Sequence, residues 1–421
     1  MRYLLTNARL IDPEAGEEHH GSLLIEDGMI AAVDPDGPTG GDIVDCGGHC
    51  LAPGIIDIGV KICEPGERHK ESFGSGGLAA VRGGITTMVT RPDTDPAIDN
   101  PETLAFHRRR AAEAASVRVL PMAALTKGRR GEEMTEIGFL KDAGAVAFTD
   151  CDEPVRDTKV LSRCMSYAAG LDALVIGHPQ EPVLSAGACM TSGQYASQLG
   201  LPAVSPLAER MGLERDLALV QATGVRYHAD QITTIHALAP LRRAKDGGLP
   251  VTAGTSIHHL TLNLLDVADY RTFFKVKPPL RSEEDRLAMI AALQDGQIDV
   301  ISSMHTPQDE DSKRLPFEEA ASGAVGLETL LPAALQLVHN HHLTIPELWR
   351  FLSLNPARLL RLPQGRLSPG APADLVLFDP DRPYKLDRWS LASKSKNTPY
   401  DLRLMQGKAL RTWVAGREVT A

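Results

Sequence analysis

Two short stretches of this chain bring metal-binding residue types close together. Cys46 and Cys50 are four apart, and His339, His341 and His342 lie in an HNHH run. The cysteine pair lacks the companions a tetrahedral zinc site requires. The histidine run follows the helix-like ETLLPAALQLV and reads as an exposed helix end. Other chemistry-bearing side chains close β-rich runs: Asp150 and Cys151 follow AVAFT, His178 ends ALVIGH, and PGIIDIGVKICEPG (53–66) carries Lys61 and Cys63 into a Pro-Gly turn. Lys61 matters most for chemistry, because an ammonium has three donors and no acceptor and repels any cation beside it. Its expected role is to neutralise nearby acids such as Asp57 or Asp150.

The elements that must position these residues follow from periodicity. From about 53 to 310, β-rich runs alternate with stretches of helical period, the pattern of repeated βα units. Eight strand candidates can be counted: 54–60, 85–90, 117–125, 145–150, 173–178, 225–230, 250–256 and 298–303. Between them lie helix-like segments such as PETLAFHRRRAAEAA and SEEDRLAMIAALQD. Eight units predict a closed α/β barrel, a (β/α)8 TIM barrel with its chemistry at the C-terminal strand ends. Both chain ends consist of short strands and turns, and neither buries an apolar face alone. They are expected to form one small β-sandwich domain from residues 1–52 and 364–421, with the barrel over 53–363.

The chain has 421 residues and a formal net charge of −10, which gives no electrostatic footprint for nucleic acid. No apolar run is long enough to span a membrane and no secretory leader is visible, so a cytoplasmic location is expected. Six scattered cysteines then read as free thiols.

Several motifs in order resemble the dihydroorotase family of cyclic amidohydrolases: AVRGGITTMVTRPDTDPAIDNPE, AFTDCDEPV, SQLGLPAVSPLAER, FKVKPPLRSEEDRLA, GAVGLETLLPAALQL, LNPARLLRLPQGRLSPGAPADLVLFDP and SKSKNTPYD. The resemblance implies the amidohydrolase type of barrel and, in an active member, a zinc centre that generates hydroxide and polarises a ring amide. Carried over, the ligand and base positions fall on Gly59, Lys61, Cys151 (with Asp150 adjacent), His178, Gln231 and Met304. Only His178 keeps the residue that the family has at its position. The positions that hold the substrate carboxylate fall on Cys63, Asp93 and Gln308, and Lys277 replaces an asparagine near the ring. Asp93 there is expected to repel a substrate anion. His258, His259 and His305 match other family positions and are expected to be structural. Asn355, Pro356, Arg358 and Asp374 are expected to be scaffold at the junction with the β domain.

On this reading the chain is expected to be a catalytically inactive dihydroorotase homologue, a pseudoenzyme without metal, cofactor or catalytic residues. It would serve, as a homodimer, as a structural subunit of aspartate carbamoyltransferase in pyrimidine biosynthesis, bound to that enzyme's catalytic chain. Two alternatives stay open. One is an active amidohydrolase with a rebuilt zinc site of Cys63, Cys151 and His178. The other is a sensor that binds a ligand in the vacated pocket.

Overall fold

The structure is a computed structural model and describes residues 2–36 and 40–420. Seven of the eight expected strand runs form parallel strands. Ile55–Val60, Ile85–Thr90 and Arg118–Pro121 pair in that order. Leu174–Gly177, Arg226–Ala229, Val251–Ser256 and Val300–Ser302 form a second set. Every residue of the first two strands is buried, as expected for strands covered on both faces.

The eighth run, 145–150, occupies the fourth place without becoming a regular strand. Phe148 alone bridges to both neighbours, Ala123 and Val175. Its backbone still ties the two sets together, with Val146 N donating to Pro121 O (3.0 Å) and Phe148 N to Leu174 O (2.9 Å). Between the eighth and first strands the ring closes partly through a side chain. Ser303 N donates to Asp57 Oδ1 at 2.8 Å, Ser303 Oγ donates to the other carboxylate oxygen, and Lys61 N reaches His305 O at 2.8 Å.

The helices begin where local sequence caps them. Asn100 accepts from Thr103 N ahead of Pro101–Ala114, with proline at the first helical position. Ser282 and Asp285 form a reciprocal capping box that starts Glu283–Gln294. His339 closes the helix Leu330–His339, with Asn340 and His341 exposed beyond it.

Both chain ends contribute to one eight-stranded sheet. Cys50–Pro53 lies antiparallel to Leu375–Lys385 and thereby joins the N-terminal strands to the C-terminal ones. The sheet buries Leu5, Leu10, Leu23, Leu375 and Trp413 in a cluster of its own. Trp349 locks the sheet to the barrel: it stacks on Phe378 at 4.5 Å and donates from Nε1 to Pro53 O at 2.8 Å. Asp374 lies at this junction, receiving a bidentate guanidinium from Arg118. Among the described residues, no helix is long and apolar enough to cross a membrane.

Candidate functional site

Four of the six positions carried over from the resemblance share an uncommon backbone. Gly59 (φ 90°), Cys151 (φ 60°), Gln231 (φ 56°) and Met304 (φ 47°) all lie in the left-handed region at strand ends. A non-glycine residue there costs roughly 1–3 kcal/mol. Strain repeated around one barrel mouth marks these positions as a built feature. At Gly59 the strand slips register against its neighbour, a bulge placed where glycine tolerates the turn.

The open space beside Gly59 is taken by Met304, whose Sδ would lie 2.8 Å from a Cβ at position 59. Gly59→Ala is therefore expected to destabilise the fold by about 1–3 kcal/mol. Pairing it with Met304→Ala should return only the steric part. Equal chemical-denaturation midpoints for wild type and Gly59→Ala would contradict this reading.

Charged side chains fill the rest of the mouth. Arg91, 6 % exposed, donates Nε to Asp93 Oδ1 (3.1 Å), Nη2 to Asp93 Oδ2 (2.8 Å) and Nη2 again to Asp152 Oδ1 (3.1 Å). Lys61 Nζ stands 3.3 Å from Asp93 and 3.9 Å from Glu67. Lys277 Nζ bonds Glu153 at 3.0 Å and lies 3.8 Å from Asp152, and Arg129 lies 3.6 Å from Asp152. Burial opposes the charge on Asp152, yet Arg91 and Lys277 outweigh it and hold this carboxyl well below the usual range. Burial likewise opposes the Lys61 ammonium, and Asp93 more than restores it, so Lys61 titrates above an ordinary lysine.

Two expectations are corrected here. Lys61 neutralises Asp93 and Glu67, because Asp57 is committed to Ser303 and Asp150 accepts from the Leu125 and Thr126 amides at 3.0 Å. Asp93 in turn does not confront a substrate as a bare carboxylate, since two cations flank it.

His178 closes its strand with neither ring nitrogen bonded among the described residues. Burial, reinforced by Lys277, pushes it down to about 3, so it is neutral at pH 7. It borders a cleft of about 390 Å³ shared with Asp152, Lys277, Arg156, Gln180 and Glu318. Deeper in the mouth, Arg91, Gln231, Lys277 and Met304 border a space of only about 30 Å³, together with His258. His258, expected to be structural, stacks on Tyr400 at 5.8 Å with Nδ1 3.5 Å from its hydroxyl, and its Nε2 has no partner among the described residues. His259 and His305 are structural: His259 bonds Ser256 Oγ (2.8 Å), and His305 Nδ1 accepts from Gly326 N (3.1 Å). Gln308 donates from Nε2 to Ser322 O at 2.9 Å. Sequence reasoning passed over Arg91, Asp152 and Arg129. The signal for the first was in plain view, a cation two residues before an acid in Arg91-Pro92-Asp93 at a strand end.

The zinc centre implied by the resemblance does not fit these residues. Burial pushes the Cys63 and Cys151 thiols up to about 12, so with no metal beside them both stay protonated at neutral pH. Asp93 and Asp152 already bond a guanidinium. Among the described residues no three His, Cys, Asp or Glu side chains converge as a metal site, and the proposed Cys63, Cys151 and His178 set does not assemble.

Residues 48–237 match the family described as dihydro-orotase-like. A protein named dihydroorotase from Anaplasma phagocytophilum (strain HZ) is 40 % identical, covering 98 % of this chain and 94 % of its own length. One of the same name from Syntrophus aciditrophicus (strain SB) is 38 % identical, covering 100 % and 99 %. In architecture the chain is similar to the L-hydantoinase (dihydropyrimidinase) of Arthrobacter aurescens, with a TM-score of 0.89 at 23 % identity over 99 % of this chain and 95 % of that one. The dihydropyrimidinase of Brevibacillus agri NCHU1002 gives 0.86 at 18 %, over 100 % and 95 %. The fold is thus the amidohydrolase barrel with a sheet from both chain ends. Full-length relatives bearing an enzyme's name overturn the expectation of a catalytically inactive pseudoenzyme kept as a structural subunit. That expectation weighed the side chains at a few aligned positions and took no account of Arg91 and Asp152 beside them.

Proposed function

This chain belongs to the dihydroorotase family, and from that premise we propose that it is an active cyclic amidohydrolase interconverting dihydroorotate and N-carbamoyl aspartate. The observation that carries the proposal is the 40 % identity to a dihydroorotase over nearly the whole length of both chains. In the hydrolytic direction water adds to the ring amide carbonyl, the C–N bond breaks, and the released nitrogen takes a proton. The cleft beside His178 is of a size suited to a small ligand. His178 borders that cleft as a neutral imidazole with both ring nitrogens unpaired among the described residues, so it is able to accept a hydrogen bond from the attacking water and orient it. Lys277 and Arg156 border the same cleft and attract the carboxylate that both reactants carry.

Chromatographic assay of the purified chain in both directions tests this. Turnover above the buffer blank is expected, with a loss of roughly a hundredfold or more in His178→Ala. No turnover in either direction would refute the proposal. A cytoplasmic location, homodimers and association with an aspartate carbamoyltransferase catalytic chain belong to the same proposal, resting on the sequence resemblance. Co-expression followed by light scattering tests the association, and separate elution of the two chains would end it.

A further inference from the structure

We infer that Arg91 supplies the organising positive charge of this barrel mouth in place of a metal ion, and that it offers a donor to a substrate oxygen there. The role in substrate binding rests on the catalytic reading above; the metal independence does not. The observation behind both is that a permanently charged group borders the same space as Gln231 and Met304, two of the positions onto which the resemblance carries a metal ligand and the catalytic base.

Arg91 is buried, and its guanidinium does not lose its proton in the physiological range. Two of its nitrogens hold Asp93 in a fork, and one of these also reaches Asp152. The third nitrogen, Nη1, makes no hydrogen bond among the described residues. Arg91 borders the small space that leads from Gln231 and Met304 towards Lys277, so the side chain with the spare donor lies at the floor of the mouth. A divalent ion placed there would face Arg91 and Lys277 together. It would also have to pull two carboxylates out of charge-assisted bonds that are among the strongest a side chain makes. The surrounding groups agree with this assignment. Arg91 is the largest of the charges that hold the buried Asp152 carboxyl ionised. A guanidinium aimed at an amide carbonyl oxygen stabilises negative charge as it develops, the task for which fixed donors in a water-poor site are suited.

The experiment combines metal analysis with two variants of the full chain. After dialysis against a chelator, the wild type should hold well under one zinc per chain. Its melting temperature should move by less than about a degree on adding chelator or zinc. Arg91→Met should lower kcat about a hundredfold or more, and by releasing Asp93 and Asp152 it should make the melting temperature rise on adding zinc. Arg91→Lys keeps the charge but not the fork, so it should stay insensitive to zinc while recovering only part of kcat. One zinc retained per wild-type chain, or a zinc-dependent rise in the wild-type melting temperature, would overturn the inference and leave the catalytic reading standing. A metal-free, chelator-insensitive wild type whose Arg91→Met variant responds to zinc but which turns nothing over would uphold the charge assignment and remove the catalytic reading. A folded Arg91→Met that stays insensitive to zinc would also overturn the inference.

Discussion

Lowering the pH from 7.5 to about 4.5 is expected to unfold much of this protein at room temperature, because it buries five histidines in their neutral form. Burial pushes His107 and His258 down to about 4, and His178, His228 and His259 to about 3. In the unfolded chain each returns to an ordinary value near 6.5. Folded histidines therefore bind fewer protons than unfolded ones between roughly pH 3 and 6.5. Their contribution to stability is complete above the unfolded value and is lost as pH falls below it. A single histidine withdraws about 3 kcal/mol by pH 4. Carboxyls raised by burial work in the opposite sense. Asp57 and Asp230 are pushed up to about 6 and Glu328 to about 7, so their contributions are present at low pH and are lost as pH rises through those values. Burial raises Asp150, Asp216 and Asp299 as well, and together these six acids offset part of what the five histidines lose. Guanidinium midpoints measured at pH 7.5 and 5 check the balance, and an equal or higher midpoint at pH 5 would show that these imidazoles are protonated inside the fold. The same titration reaches function directly, since His178 faces the cleft.

Glu209→Ala is expected to cost about 3–5 kcal/mol, the range for removing one partner of a buried ion pair. Glu209, at the start of the helix Leu207–Thr223, is fully buried and lies 3.3 Å from the buried Arg281 guanidinium. Its carboxylate also accepts from the Thr233 and Thr234 amides, each at 2.8 Å, and from both of their hydroxyls. Alanine would leave Arg281 charged in the interior with only the Thr191 and Thr233 hydroxyls at 3.1 and 3.0 Å. Glutamine should cost less, because its carbonyl keeps some of the acceptors. The damage extends to the cleft. Gln180 donates from Nε2 to Glu209 at 3.3 Å, and its backbone N–H bonds His178 O at 2.8 Å. Urea unfolding of the three proteins measures the effect. A cost for alanine below about 1 kcal/mol, with unchanged slope, would show that Arg281 finds other compensation.

Much of the fold was legible in sequence because its causes are local. Strands such as Ile55–Val60 and Ile85–Thr90 carry apolar residues on both faces and bury every residue, as a sheet covered on both sides requires. Asn100-Pro101 and Ser282 with Asp285 announce helix starts through bonds made within four residues. The pairing of the two chain ends followed from each end's inability to bury its own apolar face. The fourth strand was less clear, since the β-rich run AVAFTD does not reveal that only Phe148 meets the bridging geometry.

The site divides in the same way. Sequence by itself determined which residue types stand at the strand ends, Gly59, Lys61, Cys151, His178, Gln231 and Met304, and that they are a poor set for zinc. It did not determine what these residues and their neighbours do, because a charge acquires its role from partners distant in the chain. Lys61 could have met Asp57 or Asp150 and instead meets Asp93, and Arg91 reaches Asp152 sixty-one positions away. Only closure of the ring brings those strand ends together. The left-handed turns at Cys151, Gln231 and Met304 are likewise held by the surrounding barrel, since an isolated chain would relax them. Tertiary structure thus decided that a guanidinium sits at the centre of the mouth and that a neutral imidazole stands open beside it.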